Sequence, residues 1–161
     1  MKLTFEMINE SNSQILHKRM SDYYRRAEDK ETPQKEVDTF IESLLRLIQA
    51  KQISGWLINV QGNTVGFVLW AIDTPSFIFS EMPDYGTILE IGIGPDSWKQ
   101  GIGTAAAEFS ENEMQKRGVN KAYVCAYGPA RPFWEKSGYQ KTDRIAKNGL
   151  PIYIKENLKK L

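Results

Sequence analysis

Residues 90–109 read EIGIGPDSWKQGIGTAAAEF, and this stretch decides the fold. Leu89, Ile91 and Ile93 alternate with Glu90 and Gly92, the period of a strand with two unlike faces. Pro95 ends the run, because proline has no N–H for a ladder and disfavours helix in the residue before it, here Gly94. Gln100-Gly101-Ile102-Gly103-Thr104 then opens a helix. The first turn of a helix leaves N–H groups unpaired, and its dipole adds a partial positive charge. Gly101 and Gly103 carry no side chain, so an anion can come close to those groups. A tight strand–helix turn with no ligand uses the same glycines, and the stretch alone does not separate the two readings.

Upstream, Leu3, Phe5 and Met7 alternate as a first strand. Ser11 followed by Gln14 predicts a capping box, with Leu16, Met20, Tyr23 and Ala27 on one helical face. Thr32-Pro33 predicts a second helix start, cap then first-turn proline. Val37, Phe40, Ile41, Leu44, Leu45 and Ile48 form its apolar stripe. Residues 56–60 and 64–72 read as two strands about a turn at Gln61-Gly62-Asn63, and residues 77–79 extend or follow the second. Trp56, Phe67, Trp70, Phe77 and Phe79 are expected in the core of this hairpin.

Downstream, Ile102, Ala105, Ala106 and Phe109 are the inward face of the helix after the glycine turn. Glu111, Glu113, Lys116 and Arg117 fit its wet face, and Gly118 closes it. Residues 121–127 form a strand with Tyr123, Cys125 and Tyr127 on one side, broken by Gly128-Pro129. A short helix over 130–137 is closed by Gly138, and two last strands, 139–145 and 151–155, turn at Asn148-Gly149. The lysine-rich tail reads as a solvated end. The order strand, helix, helix, strand, strand, strand, helix, strand, helix, strand, strand predicts an α/β (α+β) fold, a single domain over residues 1–161 with a central mixed sheet flanked by helices.

Composition sets bounds. Lys plus Arg number 21 and Asp plus Glu 20, so the net charge of +1 offers no broad basic surface for nucleic acid. One cysteine excludes an intramolecular disulfide and suits a reducing compartment. MKLTFEMINE has no apolar run of signal-peptide length, and no stretch is apolar enough to span a membrane, so a cytoplasmic protein without a membrane partner is expected. With one histidine, His17, and one cysteine, Cys125, neither a zinc site nor a Cys–His nucleophile pair is expected. His17 is expected as an ordinary helix residue and Cys125 as strand packing.

Two motifs on this element order resemble the GNAT superfamily of acyl-CoA-dependent N-acetyltransferases, and the likeness spans nearly the whole chain. The first is the strand, proline and glycine-rich turn, residues 91–104; Gly101 and Gly103 match the family's glycines, while Trp98 stands where it usually has Arg or Gln. The second, Ala130-Arg131-Pro132-Phe133-Trp134-Glu135-Lys136-Ser137-Gly138-Tyr139, is similar to the family's Ala-x-x-Phe-Tyr-x-Lys-x-Gly-Phe.

The resemblance implies acetyl-CoA as co-substrate, no metal, and direct transfer to an amine in a ternary complex. Backbone N–H groups of Lys99, Gln100, Gly101, Ile102, Gly103 and Thr104 would cradle the pyrophosphate, with Lys99 and Gln100 as side-chain substitutes for the missing Arg. The family's sheet splays beside the proline-bearing strand, so pantetheine would pair with Ile91 and Ile93, and Gly92 and Gly94 would ease a bulge. The Ile91 N–H would donate to the thioester oxygen, and Glu90 would take the amine proton through water.

Ala130, Phe133, Trp134 and Lys136 complete the implied cofactor site. Trp134 replaces the family's frequent acid, a tyrosine, and an indole N–H is no acid near neutrality, so Tyr127, Tyr139 or water is left to protonate the thiolate. Tyr127 itself stands where many members have Asn. Glu28, Asp29, Glu31, Glu81 and Asp84 fall in segments that border the acceptor groove in the family, which favours a small cationic acceptor such as a polyamine or aminoglycoside. A homodimer is compatible with this reading. Two other functions compete. A non-catalytic acyl-CoA sensor on the same fold is kept open by Trp98 and Trp134. A dinucleotide-binding domain is suggested by Gly92-x-Gly94, but Pro95 and Ser97 stand where that motif needs free turn geometry and a third glycine.

Overall fold

A computed structural model of the chain describes residues 2–27 and 31–158. Its elements are β1 (Leu3–Met7), α1 (Ser13–Ala27), α2 (Gln34–Gln49), β2 (Ser54–Val60), β3 (Asn63–Ile72), β4 (Gly86–Ile93), α3 (Ile102–Lys116), β5 (Ala122–Cys125), α4 (Arg131–Lys136), β6 (Gln140–Ile145) and β7 (Pro151–Lys155). The element order and the mixed α/β class are those expected from the sequence. Seven strands form one mixed sheet in the order β1-β2-β3-β4-β5-β7-β6. Contacts gather the chain into two compact units. One holds the chain through Leu69 plus Glu90–Gly103, and the other holds Trp70–Leu89 plus the chain from Thr104 onward.

In the first unit, β1 pairs antiparallel with β2 from Leu3↔Val60 to Met7↔Trp56. The turn between β2 and β3 is tighter than expected. Gln61 and Gly62 both take positive φ, 51° and 83°, and Asn63 already belongs to β3. Such a two-residue turn matches the strands' own twist. The expected capping box is replaced by an Asn9–Asn12 loop. Ser11 gives its hydroxyl to Asn9 Oδ1, and Asn12 accepts the first helical N–H bonds, from Ile15 and Leu16, at its carbonyl. Asn12 is buried, and its amide reaches Glu6 Oε2 and the Met7 carbonyl, partners that Ser11 is too exposed to meet.

The buried face of α1 runs Leu16, Met20, Tyr24, with Tyr23 only half-buried. Pro33 sits at the cap of α2 itself, one position earlier than expected, and its carbonyl receives the N–H groups of Glu36 and Val37. Val37, Ile41 and Leu44 are the buried stripe of α2, while Phe40 is largely exposed. His17 Nε2 lies 3.7 Å from Asp38 Oδ1, between α1 and α2.

In the second unit, β4 pairs parallel with β5 through Gly86↔Ala122 and Thr87↔Tyr123, the first two residues of each strand. β5 pairs antiparallel with β7, and β7 with β6. Residues 77–79 are not a strand. Phe77 turns into the core, and Phe79 stacks edge-on against it at 5.7 Å. Asp73, fully buried, explains the bend. Its Oδ2 receives the Tyr123 hydroxyl at 2.7 Å and the N–H groups of Glu81 and Met82 at 2.8 Å each. Burial works to raise the Asp73 pKa, but hydrogen bonding by Ser80, Tyr123 and the two backbone groups outweighs it and holds the carboxyl below its ordinary range.

Glu111 does not lie on a wet face. It is 5 % exposed and accepts from the Tyr139 hydroxyl at 2.7 Å and from Lys155 Nζ at 2.9 Å. Arg117 is exposed as expected, and its guanidinium lies 4.9 Å from the ring centre of buried Trp70. The acidic connector residues Glu28 and Asp29, and the end of the lysine-rich tail, lie outside the described residues.

Candidate active site

The first unit carries the end of β4 and the glycine turn. Glu90, Ile91 and Ile93 are half-buried, and Gly92 is buried. The expectation that Gly92 and Gly94 ease a bulge meets a different cause. A Cβ on Gly92 would stand 2.4 Å from Phe67 Cε1, so the glycine makes room for a ring. Gly94 has φ −61° and ψ 144°, which any residue adopts. Glu90 Oε1 faces the hydroxyl of Tyr24, which donates to it across 3.4 Å. Tyr24 belongs to α1 and is 6 % exposed.

After Ile93 the chain makes one 3₁₀ turn, Pro95–Ser97, and then reverses φ at Lys99 (63°) and Gly101 (77°). α3 starts at Ile102, two residues later than Gln100. The first-turn N–H groups of α3 therefore begin at Ile102, and those of Lys99 to Gly101 belong to the twisted turn before it. Gly101 has no atom within 4 Å of the place a Cβ would occupy, so its face is open. Lys99, Gln100 and Thr104 are exposed, Gly103 is half-buried, and the Ile102 side chain is buried. Such a turn fits a polyanionic group through backbone donors, with Lys99 adding charge.

Trp98 has a use of its own. It is 59 % exposed, yet its indole N–H donates to the Ile93 carbonyl at 2.8 Å, tying the turn back to the strand end. The Gln100 amide leans back on the Asp96 carbonyl at 3.4 Å.

The second unit carries the other motif. Trp134 is buried, edge-on to Phe133 at 4.9 Å and to Tyr139 at 5.3 Å. Phe133 and Ala130 are half-buried, and Lys136 is exposed. Tyr139 is removed as an acid. Burial first, and then the Glu111 carboxylate that holds its proton, push its pKa well above the ordinary value. Tyr127 is exposed, just past β5. The Cys125 thiol is pushed up to about 11 by burial and by the charges of Glu81 and Asp73, so it is no thiolate at neutral pH. Glu81 is engaged within the fold, where its Oε2 accepts the Lys147 N–H at 2.9 Å. Asp84 is exposed. No group of His, Cys, Asp and Glu among the described residues is arranged to hold a metal. No described helix is long and apolar enough to cross a membrane.

The family model described as Acetyltransferase (GNAT) family matches residues 14–139. The chain belongs to the GNAT family. The match runs from the start of α1 to the end of the second motif, and so includes both the glycine turn and α4.

Solved GNAT structures share the fold. PaiA N-acetyltransferase from Thermoplasma acidophilum, crystallised with coenzyme A, superposes with a TM-score of 0.75 at 15 % identity, covering 97 % of this chain and 99 % of that one. An acetyltransferase from Thermus thermophilus gives 0.73 at 17 %, covering 96 % and 97 %. A predicted acetyltransferase from Clostridium acetobutylicum, solved with acetyl-CoA, gives 0.69 at 19 %, covering 91 % and 95 %. No curated protein matches the sequence.

Two departures from the GNAT motifs acquire a physical account. Trp98 anchors the turn where family members usually have Arg or Gln, and Trp134 packs in the core. Tyr24 is the residue that sequence reasoning missed. Periodicity placed Tyr23 rather than Tyr24 on the inward face of α1, and nothing local links either ring to a strand 66 residues away.

Proposed function

We propose that this GNAT protein transfers an acetyl group from acetyl-CoA to the amine of a small cationic acceptor, by direct attack in a ternary complex. The reading is carried by the open, φ-reversed turn at Lys99–Gly101, which follows a strand bearing a half-buried carboxylate, Glu90, and leads into α3. The backbone of residues 99–104 holds the pyrophosphate, and Ile91 and Ile93 pair with the pantetheine through their backbone. Of the second-motif residues expected at the cofactor, Ala130, Phe133 and Lys136 keep surface and Trp134 is buried.

The amine nitrogen forms its bond to the thioester carbonyl carbon, and the carbon–sulfur bond breaks. The ammonium must first lose a proton, and Glu90 takes it through water. The Ile91 N–H donates to the thioester oxygen as negative charge builds there. CoA leaves as a thiolate and takes up the second proton, the one the acylated nitrogen sheds, relayed through water or through Tyr127, whose hydroxyl is not locked as that of Tyr139 is. A cationic acceptor suits the carboxylate of Glu90 and the aromatic rings of Tyr23, Tyr24 and Phe40 in the same unit.

The test is thiol release from acetyl-CoA across a panel of polyamines, aminoglycosides and peptide amines, followed by pH–rate profiles of the wild type and Glu90→Gln with the fastest amine. The variant is expected to turn over about 10²-fold more slowly near neutral pH. Its rate should recover as pH approaches the amine's own pKa, where free amine needs no base. Parallel profiles would remove Glu90 from the base role. No thiol release with any amine would leave a protein that only binds acyl-CoA.

A further inference from the structure

Tyr24 reaches Glu90 because a ladder of rings fixes where its hydroxyl sits. The ring of Phe67 lies against Gly92, two residues beyond Glu90 on β4. Tyr23 meets Phe67 edge-on at 5.6 Å, Tyr24 meets Tyr23 at 5.3 Å, and Phe40 of α2 meets Tyr24 at 5.5 Å. Edge-to-face pairs at these spacings are favourable in themselves, and a packed aromatic side chain has few torsions left to vary. α1 is thereby tied to β3 and α2, and its buried phenol is brought to donate to Glu90 Oε1.

We propose that Tyr24 is a positioning residue for Glu90, aiming the carboxylate that receives the amine proton. The proposal rests on the reading of Glu90 as the base. A hydrogen bond donated to a carboxylate stabilises its charged form. The contact, at 3.4 Å, is longer than the usual O–H···O spacing of about 2.7 Å, so the phenol guides the carboxylate without holding it as tightly as a short bond would. Because the donor comes from α1, the helix that precedes α2 and the hairpin sets the geometry of a strand residue far along the chain.

The experiment compares four full-length proteins at pH 7: wild type, Tyr24→Phe, Glu90→Gln and the double variant, each with the fastest amine from the panel above. Tyr24→Phe keeps the ring ladder and removes one oxygen, so its melting curve should stay close to that of the wild type. Its kcat should fall about tenfold with KM for acetyl-CoA unchanged, and the double variant should be no slower than Glu90→Gln alone. A Tyr24→Phe protein with wild-type kcat beside a slow Glu90→Gln overturns the role of Tyr24 and leaves Glu90 as base. Additive losses show that Tyr24 acts by another route and also overturn it. A Glu90→Gln protein with wild-type kcat removes Glu90 from the base role and this inference with it, while acetyl transfer stands; no amine turned over at all overturns the function reading as well.

Discussion

Glu90 and Glu111 stand on elements that follow one another in sequence, β4 and α3, and their surroundings treat them in opposite ways. Glu111 is 5 % exposed and accepts two short hydrogen bonds, from Tyr139 at 2.7 Å and Lys155 at 2.9 Å. Glu90 is half-buried, takes a phenol contact at 3.4 Å, and precedes an open backbone turn. A buried carboxylate with an ammonium and a phenol on it is fixed in position, so it belongs to stability. A half-buried carboxylate that keeps access to solvent can meet a bound amine or a relaying water, as a base must. The same contrast separates their surroundings, a closed polar cluster among α3, β7 and Tyr139 and an open turn of backbone donors at residues 99–104.

The comparison breaks if the two regions exchange their signatures. The largest effect expected is at Glu111. Glu111→Ala leaves a buried ammonium and phenol without their acceptor and should lower unfolding free energy by about 3 kcal/mol in urea denaturation, with acetyl-CoA affinity of the folded fraction unchanged. A stable variant with weakened cofactor binding would assign this cluster to the site instead.

Alkaline pH probes the closed clusters next. Burial first, then the hydrogen bond and charge of Asp73, raise the Tyr123 pKa far above 10.0, and burial and Glu111 do the same for Tyr139. A folded pKa above the unfolded one contributes stability that is complete below pH 10 and is lost as pH rises beyond it. The unfolded chain releases protons there that the folded chain keeps. Between pH 9 and 11 unfolding free energy should therefore fall by about 1.4 kcal/mol per tyrosine. The measurement is a series of urea titrations. A flat profile would mean that neither hydroxyl is held as the structure shows.

The open turn should answer in binding. Gly103→Val puts a branched side chain among the first-turn donors of α3 and should weaken acetyl-CoA at least tenfold, about 1.4 kcal/mol. The helix itself loses less than about 1 kcal/mol, because valine is no worse a helix former than glycine. Calorimetry with acetyl-CoA, beside a melting curve, reads both. Unchanged affinity would take the pyrophosphate away from this turn.

The smallest effect is expected at Trp98. Trp98→Phe removes the 2.8 Å bond to the Ile93 carbonyl at an exposed position and should cost about 1 kcal/mol or less. Cofactor affinity should fall by a few-fold as the turn loosens. A gain in affinity would show that the indole obstructs the phosphate turn rather than ordering it.

Much of the fold was legible because it follows from local rules. Alternation, helical stripes and turn residues placed the strands and helices of the described residues in the observed order. The glycine turn was legible too, since Pro95, Gly101 and Gly103 constrain the backbone wherever they occur. The errors fall where distant partners override local pattern. Ser11 promised a cap that Asn12 supplies, because Asn12 meets Glu6 and Met7. Residues 77–79 looked extended, but Asp73 draws Glu81 and Met82 back to itself and bends the loop.

The sequence by itself determined the succession of elements, the mixed class of the sheet and the backbone chemistry of the turn, all consequences of what each residue does to its own few neighbours. Only the tertiary structure decided that β7 inserts between β5 and β6, that Glu111 is buried, and that a tyrosine of α1 donates to Glu90. Each of these depends on groups far apart in the chain. A charged residue on a helix face looks solvated until its partners, Tyr139 and Lys155, are folded over it, and no local period carries that information.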